Sequence, residues 1–280
     1  MENYTKVYVT YGLDQLAEGL GHLAKSNEFK ADFELNGFAW FYHATSGDRG
    51  LIVRLNKESK DASLDVRDAA KRAAKQLQAM KIKDATFEFM GSEIANLVGD
   101  FENSFVQWNH EICSKRQKTG AKADEDPRTV RVQSNVENYN LSCEGLDTSS
   151  KDYKLKLAAA KAMERARCLA ETRASIATPS WMAASIRKDL PNIERVVTFV
   201  GKELEERGMN LFYNVGKGSN DPPRMVAYYY RGNKASNEVD LAIVGKGVTY
   251  DTGGLNIKTS MMDMMHGDKG GSCAVIGALE

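Results

Sequence analysis

The sequence has 280 residues with 38 basic and 38 acidic side chains, so its formal net charge is zero. This length predicts two domains, and the charge balance argues against a protein that binds nucleic acid or an anionic membrane, because such proteins carry a positive surplus. No stretch approaches the ~20 apolar residues of a membrane span, and the opening residues MENYTKVYVTYG lack a signal-peptide pattern. We therefore expect a cytoplasmic protein without a membrane partner.

The first half of the chain predicts a mixed α/β domain. Its apolar residues recur with strand or helix spacing, which indicates strands at 6–11, 38–43, 50–55 and 85–89 and helices at 13–25, 62–80 and 93–113. The second and third of these strands are expected to pair around a turn at 46–48.

A charged segment at 114–128 predicts an exposed loop. Its run Asp124-Glu125-Asp126 could be a metal cluster, but a solvated acidic turn is the better interpretation because nothing apolar nearby would bury it. A short strand at 129–133 and an alanine-rich helix at 153–172 should follow. We place the domain boundary just before that helix, which predicts an N-terminal domain at 1–150 and a second domain at 151–280.

The second half alternates predicted helices and strands. A Thr-Pro-Ser start at 178–180 is typical of a helix N-terminus, and the later elements are a helix at 202–207, a helix at 270–279, and strands at 195–200, 225–230 and 239–244. The run at 241–244 is continuously apolar, as in a strand buried on both faces. The pattern predicts an α/β domain with a mostly parallel central sheet.

A glycine-rich segment follows the last predicted strand and reads VGKGVTYDTGGLNIK, residues 244–258. Ligands of open α/β sheets bind beyond the carboxyl ends of the strands, so this segment is a candidate site. A phosphate cradle is one interpretation, but the chain contains neither GxxxxGK[ST] nor a GxGxxG that opens a helix. The other Gly-Lys-Gly, at 216–218, is expected to be a turn.

Divalent metal binding is the better hypothesis for this segment. Asp251, Asp268 and the neutral amine of Lys246 could together hold a hard cation. A fold-back at Gly253-Gly254 would bring Lys258 to the rim, where its ammonium could stabilise an oxyanion that develops during attack by a metal-bound hydroxide. The alternatives are a surface ion pair, an N-cap role for Asp268 and an exposed loop lysine.

Two sequence stretches carry a family resemblance. VGKGVTYDTGGLNIK followed by MDMMHGDKGG resembles the leucyl aminopeptidase (cytosol aminopeptidase) family, whose pattern is Gly-Lys-Gly-Ile/Val-Thr-Phe-Asp-Ser-Gly-Gly, a lysine, and Met-Asp-Leu-Met-x-x-Asp-Met-Gly-Gly. The upstream stretch GMNLFYNVGKGSNDPPRMVAYYYRG also resembles the family, and the likeness extends from about residue 167 to 280.

The resemblance implies a two-metal aminopeptidase that releases N-terminal amino acids from peptides by metal-bound hydroxide attack, with Zn²⁺, Mn²⁺ or Mg²⁺ as cofactors and a homo-hexamer as the assembly. Lys246 would be a ligand of the tighter metal, and Asp251 would bridge both metals. Asp268 would bind the tighter metal and the substrate's amino group. Lys258 would polarise the scissile carbonyl, and Met265 would line the pocket for the substrate's first side chain.

The chain departs from the family pattern in three places within the matching stretch. The interval between Lys258 and Asp268 is one residue shorter than usual, and Glu-Thr-Arg-Ala-Ser at 171–175 replaces Asn-Thr-Pro-Ala-Asn. Lys269 stands where the family has methionine. It is expected to add positive charge beside the cations unless its stem carries that charge into solvent.

The family segment Asn-Thr-Asp-Ala-Glu-Gly-Arg, which supplies further ligands, does not occur in the 280 residues. We therefore expect an incomplete catalytic domain and a fragment that is inactive alone. The alternative is a non-catalytic truncated paralogue that binds intact aminopeptidase subunits. Nucleotide binding through the glycine loops is the weakest hypothesis.

Overall fold

The protein is described by a computed structural model that covers residues 4–16, 20–42, 49–113, 131–186 and 193–280. The expected turn at 46–48, the charged loop at 114–128 with its acidic run, and the start of the strand at 129–133 lie outside the described residues. The backbone contacts divide the chain into two compact units, one containing Met1–Glu111 and Gln133–Lys161, the other containing Ala162–Glu280 and, of the described residues before it, 112–113 and 131–132. The domain boundary at residue 150 stays a prediction.

The first unit is an α/β structure. Its strands and helices are β1 Thr5–Thr10, α1 Asn27–Asn36, β2 Phe38–Tyr42, β3 Arg49–Arg54, α2 Ala62–Ala79, β4 Asp84–Phe89, α3 Val98–Trp108, parts of β5 His110–Cys113 and β6 Arg131–Ser134, β7 Asn138–Cys143 and the beginning of α4 Lys151–Glu171. Five strands form one sheet in the order β2-β3-β1-β4-β7, and β5 pairs with β6 in a separate two-stranded sheet. In the five-stranded sheet only β2 and β3 are antiparallel, so the sheet is mostly parallel.

Apolar side chains from the sheet and from α2 and α3 form the core of this unit. The α2 face that meets the sheet is rich in alanine, which allows close packing, and it is fully buried from Val66 to Leu77. Phe87 of β4 packs edge-to-face against Phe101 and Phe105 of α3, with ring centroids 5.3 and 4.8 Å apart. This edge-to-face geometry is favourable because the positive edge of one ring meets the negative face of the other.

A buried carboxylate connects α3 to the first turns of α4. Asp100 is 6% exposed, and it accepts from Lys156 at 2.8 Å and from Arg67 at 3.2 Å. Burial alone would raise the pKa of Asp100, but the hydrogen bonds from Lys156 and Arg67 outweigh burial and lower it. Nearby, Glu102 accepts hydrogen bonds from the hydroxyls of Tyr139 and Tyr153.

Asp100→Asn should destabilise the first unit by about 1–3 kcal/mol near neutral pH, because a charge-assisted pair is lost from a buried position. The pKa of Asp100 is lower in the folded state than in the unfolded state. Its contribution to the free energy of unfolding is therefore complete above the unfolded-state pKa of about 3.9, and it is lost as pH falls through the folded-state pKa. Urea unfolding from pH 7 to pH 3 measures this, with exposed Asp32→Asn as the control. A difference between variant and parent that does not shrink toward acid pH would contradict the prediction.

Most predicted elements of the first half are confirmed within a few residues. The helix predicted at 93–113 is wrong at both ends, because a 3₁₀ segment Ser92–Leu97 precedes α3 and the chain turns into β5 after Trp108. At 13–25 the described residues form short 3₁₀ turns rather than one helix. The prediction missed α1 and β7.

The second unit is also α/β, with little sheet among its described residues. It contains the rest of α4, then α5 Pro179–Ser185, β8 Ile193–Val200, α6 Lys202–Glu206, α7 Asn210–Gly216, β9 Arg224–Tyr230, a 3₁₀ segment Met262–Lys269 and α8 Gly270–Leu279. Its core joins α4, α5 and α8 through Leu169, Ala177, Met182, Ile186, Cys273 and Ile276. The helix predicted at 270–279 is confirmed.

The α/β class with a mostly parallel sheet is confirmed, but that sheet lies in the first unit. The described strands of the second unit, β8 and β9, pair antiparallel. The strand predicted at 239–244 is wrong, because no described segment pairs with it, and Leu241 and Val244 are 75% and 93% exposed. Apolar content alone does not form a strand without a hydrogen-bonding neighbour.

Helices that could span a membrane were sought among the described residues, and none is long and apolar enough.

Candidate active site

Two glycines bring the start of the glycine-rich segment against the N-terminus of α8. A Cβ at Gly245 would lie 2.5 Å from the carbonyl oxygen of Gly271 and 2.7 Å from Cα of Ser272, and a Cβ at Gly271 would lie 2.9 Å from N of Lys246. The backbone N–H of Ser272 donates to the carbonyl of Lys246 at 2.8 Å. These glycines are therefore required for close approach of two backbones.

Gly245→Ala should destabilise the second unit by about 1–3 kcal/mol, since the methyl group would meet backbone atoms that cannot move aside cheaply. Gly270→Ala is the matched control, because Gly270 has αR dihedrals and no atom within 4 Å of a built Cβ. That control should be neutral or stabilising by about 0.4–1 kcal/mol. Denaturant unfolding of both variants measures the difference, and equal midpoints would show that the close approach is not required.

The chain then turns back on itself at Gly253-Gly254, as the sequence predicted. Both residues have positive φ, +89° and +63°, a region that glycine occupies without steric cost. The N–H of Asn256 donates to Gly253 at 3.3 Å, and the N–H of Lys258 donates to Thr252 at 3.0 Å. This turn returns Lys258 to the neighbourhood of Asp251.

The four charged residues singled out in the sequence lie in two pairs of opposite charge. The ammonium of Lys258 donates to the carboxylate of Asp251, and Nζ of Lys246 lies 3.9 Å from Oδ2 of Asp268. Each of these side chains is at least one-third exposed, so solvent and a ligand can reach them. The two pairs together carry no net charge.

The 3₁₀ segment Met262–Lys269 connects the two pairs. Side chains three residues apart share one face of a 3₁₀ helix, which puts Met265 and Asp268 on one face and His266 and Lys269 on another. Sδ of Met265 lies 3.3 Å from Nζ of Lys258. The first face therefore meets the candidate site residues.

The side chain of Lys269 does not carry its charge into solvent, because it is fully buried. The ammonium donates to the carbonyls of Ala170 at 2.9 Å, Thr172 at 2.7 Å, and His266. Burial lowers the pKa of Lys269, and the charges of Cys273 and Glu171 act in the opposite direction.

Beside the second face lies an open cavity of about 460 Å³. Its charged and polar lining comes from Glu171, Arg173, Tyr250, Asp263 and His266. Nε2 of His266 lies 3.4 Å from the carboxylate of Glu171, and Nδ1 lies 3.0 Å from the carbonyl of Asp263. The imidazole of His266 thus lies between Glu171 and the backbone of Asp263 at the wall of this cavity.

The site residues fit a divalent cation by donor chemistry. Two carboxylates and an amine are suitable ligands for Zn²⁺, Mn²⁺ or Mg²⁺, and the 3.9 Å contact between Lys246 and Asp268 is loose enough to yield to a cation. Three side chains are few for two metals that each take four to six ligands. Within the described ranges, no group of three or more His, Cys, Asp and Glu has metal-binding geometry.

Comparison with known families gives a match over the region of this site. Residues 164–280 match the model of the cytosol aminopeptidase family, catalytic domain. This segment of the chain is similar to the catalytic domain of that family. The matched segment includes Lys246, Asp251, Lys258, Met265 and Asp268.

Individual relatives agree with the family match. The cytosol aminopeptidase of Dictyostelium discoideum is 28% identical over 240 residues, covering 82% of this chain and 44% of that protein. The probable cytosol aminopeptidase of Ralstonia nicotianae is 27% identical over 99% of this chain and 56% of its own length. Human cytosol aminopeptidase is 39% identical over 118 residues, which is 41% of this chain and 23% of the human protein. The chain spans about half the length of most of these relatives.

Solved structures give the same fold. A mutant of tomato leucine aminopeptidase matches with a TM-score of 0.72 at 16% identity, covering 99% of this chain and 56% of that one. The bottromycin maturation enzyme BotP in complex with Mn matches with a TM-score of 0.67 at 21% identity, covering 100% and 55%. At these identities the likeness concerns the fold.

The sequence did not predict the contacts made by the second face of the 3₁₀ segment. In the sequence, Lys269 stood out only as a departure from the family pattern. Glu171 stood out only as part of a second departure, at 171–175. The structure connects these two departures, because Lys269 binds the carbonyls that flank Glu171. Lys269 lies between polar residues and an apolar helix, and nothing in this local sequence indicates that its side chain is buried.

Proposed function

We propose that this chain carries part of the active site of a metal-dependent aminopeptidase that removes N-terminal residues from peptides. The observation that carries the proposal is the pairing of Lys258 with Asp251 and of Lys246 with Asp268, within a segment that matches the family's catalytic domain. A divalent metal, when bound, supplies Lewis acidity and a nucleophile at neutral pH.

The chain's own residues would then have distinct roles. Asp251, Asp268 and Lys246 would hold the cations, with Asp251 shared between two of them, and Asp268 would also accept a hydrogen bond from the substrate's amino group. Lys258 would donate to the scissile carbonyl oxygen as negative charge develops there. Met265 is next to Lys258 and would contact the substrate's first side chain.

Three further properties belong to this proposal. Peptides are the substrates, the active assembly is a homo-hexamer, and the location is the cytoplasm. These come from the family resemblance and from the names of the cytosol aminopeptidase relatives. Zn²⁺ or Mg²⁺ could take the place of Mn²⁺.

The test is hydrolysis of leucine p-nitroanilide with and without Mn²⁺. A form of the protein that includes Asn-Thr-Asp-Ala-Glu-Gly-Arg should cleave it, and the 280-residue polypeptide alone should not, because its three candidate ligands cannot hold two metals. The reading frame beyond codon 280 tells whether such a form is encoded. Absence of cleavage by that form would overturn the proposal, and cleavage by the 280-residue polypeptide would overturn its inactivity.

A second candidate is a non-catalytic chain that binds intact aminopeptidase subunits. The observation that favours it is the exposed, mostly apolar run at 239–244, which is long enough for a strand but does not form one. Size-exclusion chromatography with intact subunits tests it. Co-elution that Leu241→Asp abolishes would support this function, and separate elution would exclude it.

A further inference from the structure

The second face of the 3₁₀ segment contains a buried ammonium whose three donors all have acceptors. The carbonyls of Ala170, Thr172 and His266 form this carbonyl cage around Nζ of Lys269. An ammonium has three N–H donors and no acceptor. The cage therefore satisfies the charged group completely although no water reaches it.

The cage lies at the C-terminal end of α4, where a positively charged group is favourable. The last four carbonyls of a helix lack intrahelical partners, and the helix dipole puts partial negative charge there. Ala170 is one residue before the end of α4 at Glu171. The hydroxyl of Thr172 donates to the carbonyl of Cys168 at 2.7 Å, so two side chains cap this end.

The backbone around Lys269 leads directly to the candidate metal ligands. Asp268 immediately precedes Lys269. The carbonyl of Lys269 accepts a hydrogen bond from the hydroxyl of Ser272 at 2.8 Å. The N–H of the same Ser272 donates to the carbonyl of Lys246 at 2.8 Å. A short network thus connects the end of α4, through Lys269, to the backbone of both Asp268 and Lys246.

We propose that Lys269 is a positioning residue: by binding the end of α4 it fixes the 3₁₀ segment, so that Asp268 and Met265 on the other face keep their places in the site. This inference rests on the proposed function for its consequence in metal binding. It concerns this chain in particular, because the family pattern has methionine at this position and cannot make the cage.

Lys269→Met tests the proposal because it keeps the length and apolar stem of the side chain and removes the donors. Lys269→Gln keeps two N–H donors and should restore part of the effect. Met264→Ala is the matched control in the same segment, since the Met264 side chain is 63% exposed and takes no part in the cage. Thermal unfolding of each variant identifies those that are folded.

Two readouts are compared in the folded 280-residue chain. Hydrogen–deuterium exchange of peptides covering 262–269 should be about tenfold faster in Lys269→Met, with exchange in β8 and β9 unchanged. Mn²⁺ affinity, measured by calorimetry, should fall about 10–100-fold, as for loss of other outer partners of metal ligands. Lys269→Gln should be intermediate, and Met264→Ala should be within twofold of the parent.

The outcomes separate this proposal from the proposed function. Exchange at 262–269 that is unchanged in Lys269→Met, or unchanged Mn²⁺ affinity, would overturn the positioning role. If the parent binds no Mn²⁺, the three candidate ligands of the 280 residues do not hold the metal by themselves, and the exchange measurement decides whether Lys269 fixes the segment. If Lys269→Met does not fold, comparison of Lys269→Gln with Met264→Ala gives the same decision.

Discussion

Lys258→Ala should lower kcat by about 10²–10³ in an active form of the protein, the usual cost of removing one positioned donor to a developing oxyanion. The turn at Gly253-Gly254 brings this ammonium to Asp251 and to the sulfur of Met265. It can therefore reach a carbonyl held beside the same carboxylate. KM should change less than kcat, because the interaction strengthens only as negative charge develops.

The matched control is Lys217→Ala, from the other Gly-Lys-Gly segment. Lys217 is exposed, and its backbone N–H donates to the carbonyl of Tyr213 at 2.8 Å. Its kcat should be that of the parent. Metal content must be measured in parallel, since Lys258 also contacts Asp251. Near-normal kcat in Lys258→Ala with normal metal content would remove Lys258 from the mechanism.

Asp251→Ala, made in a form of the protein that includes Asn-Thr-Asp-Ala-Glu-Gly-Arg, should remove most of the bound metal, a larger effect than the about 10–100-fold loss of affinity that follows loss of an outer partner. The reason is that Asp251, under the proposed function, would be a ligand of both cations, so its deletion would remove a ligand from each. The variant also leaves the ammonium of Lys258 without its partner, which adds positive charge where cations would bind. Elemental analysis after dialysis against metal-free buffer measures the remaining equivalents.

Asp240→Ala is the control for this variant, since Asp240 is an exposed aspartate upstream of the same segment. It should keep the metal content of the parent. Two equivalents retained by Asp251→Ala would show that Asp251 does not bridge the metals. Loss of a single equivalent would make Asp251 a ligand of one metal only.

Local sequence patterns predicted most of the fold of this chain. The alanine-rich helix at 62–80 and the strands around it have strong periodicity, and the structure has them within a few residues. The fold-back at Gly253-Gly254 was also predictable, because two adjacent glycines permit positive φ where other residues are strained.

The failures concern features that depend on distant partners. The run at 239–244 has the composition of a buried strand, but a strand needs a neighbour, and composition does not specify one. Lys269 illustrates the same limit for a side chain. Its environment is made by carbonyls about a hundred positions earlier in the chain, and no local pattern reports them.

The contact between Gly245 and Gly271 also has a kinetic consequence. It closes a loop of about 26 residues that contains Lys246, Asp251, Lys258, Met265 and Asp268. Closing such a loop costs about 3 kcal/mol of chain entropy, plus a term that does not depend on loop length. This cost comes before any contact inside the loop contributes stability. During folding, these side chains should therefore come together late and in one step, after α8 has formed, so that partly folded molecules lack the whole site rather than single residues of it.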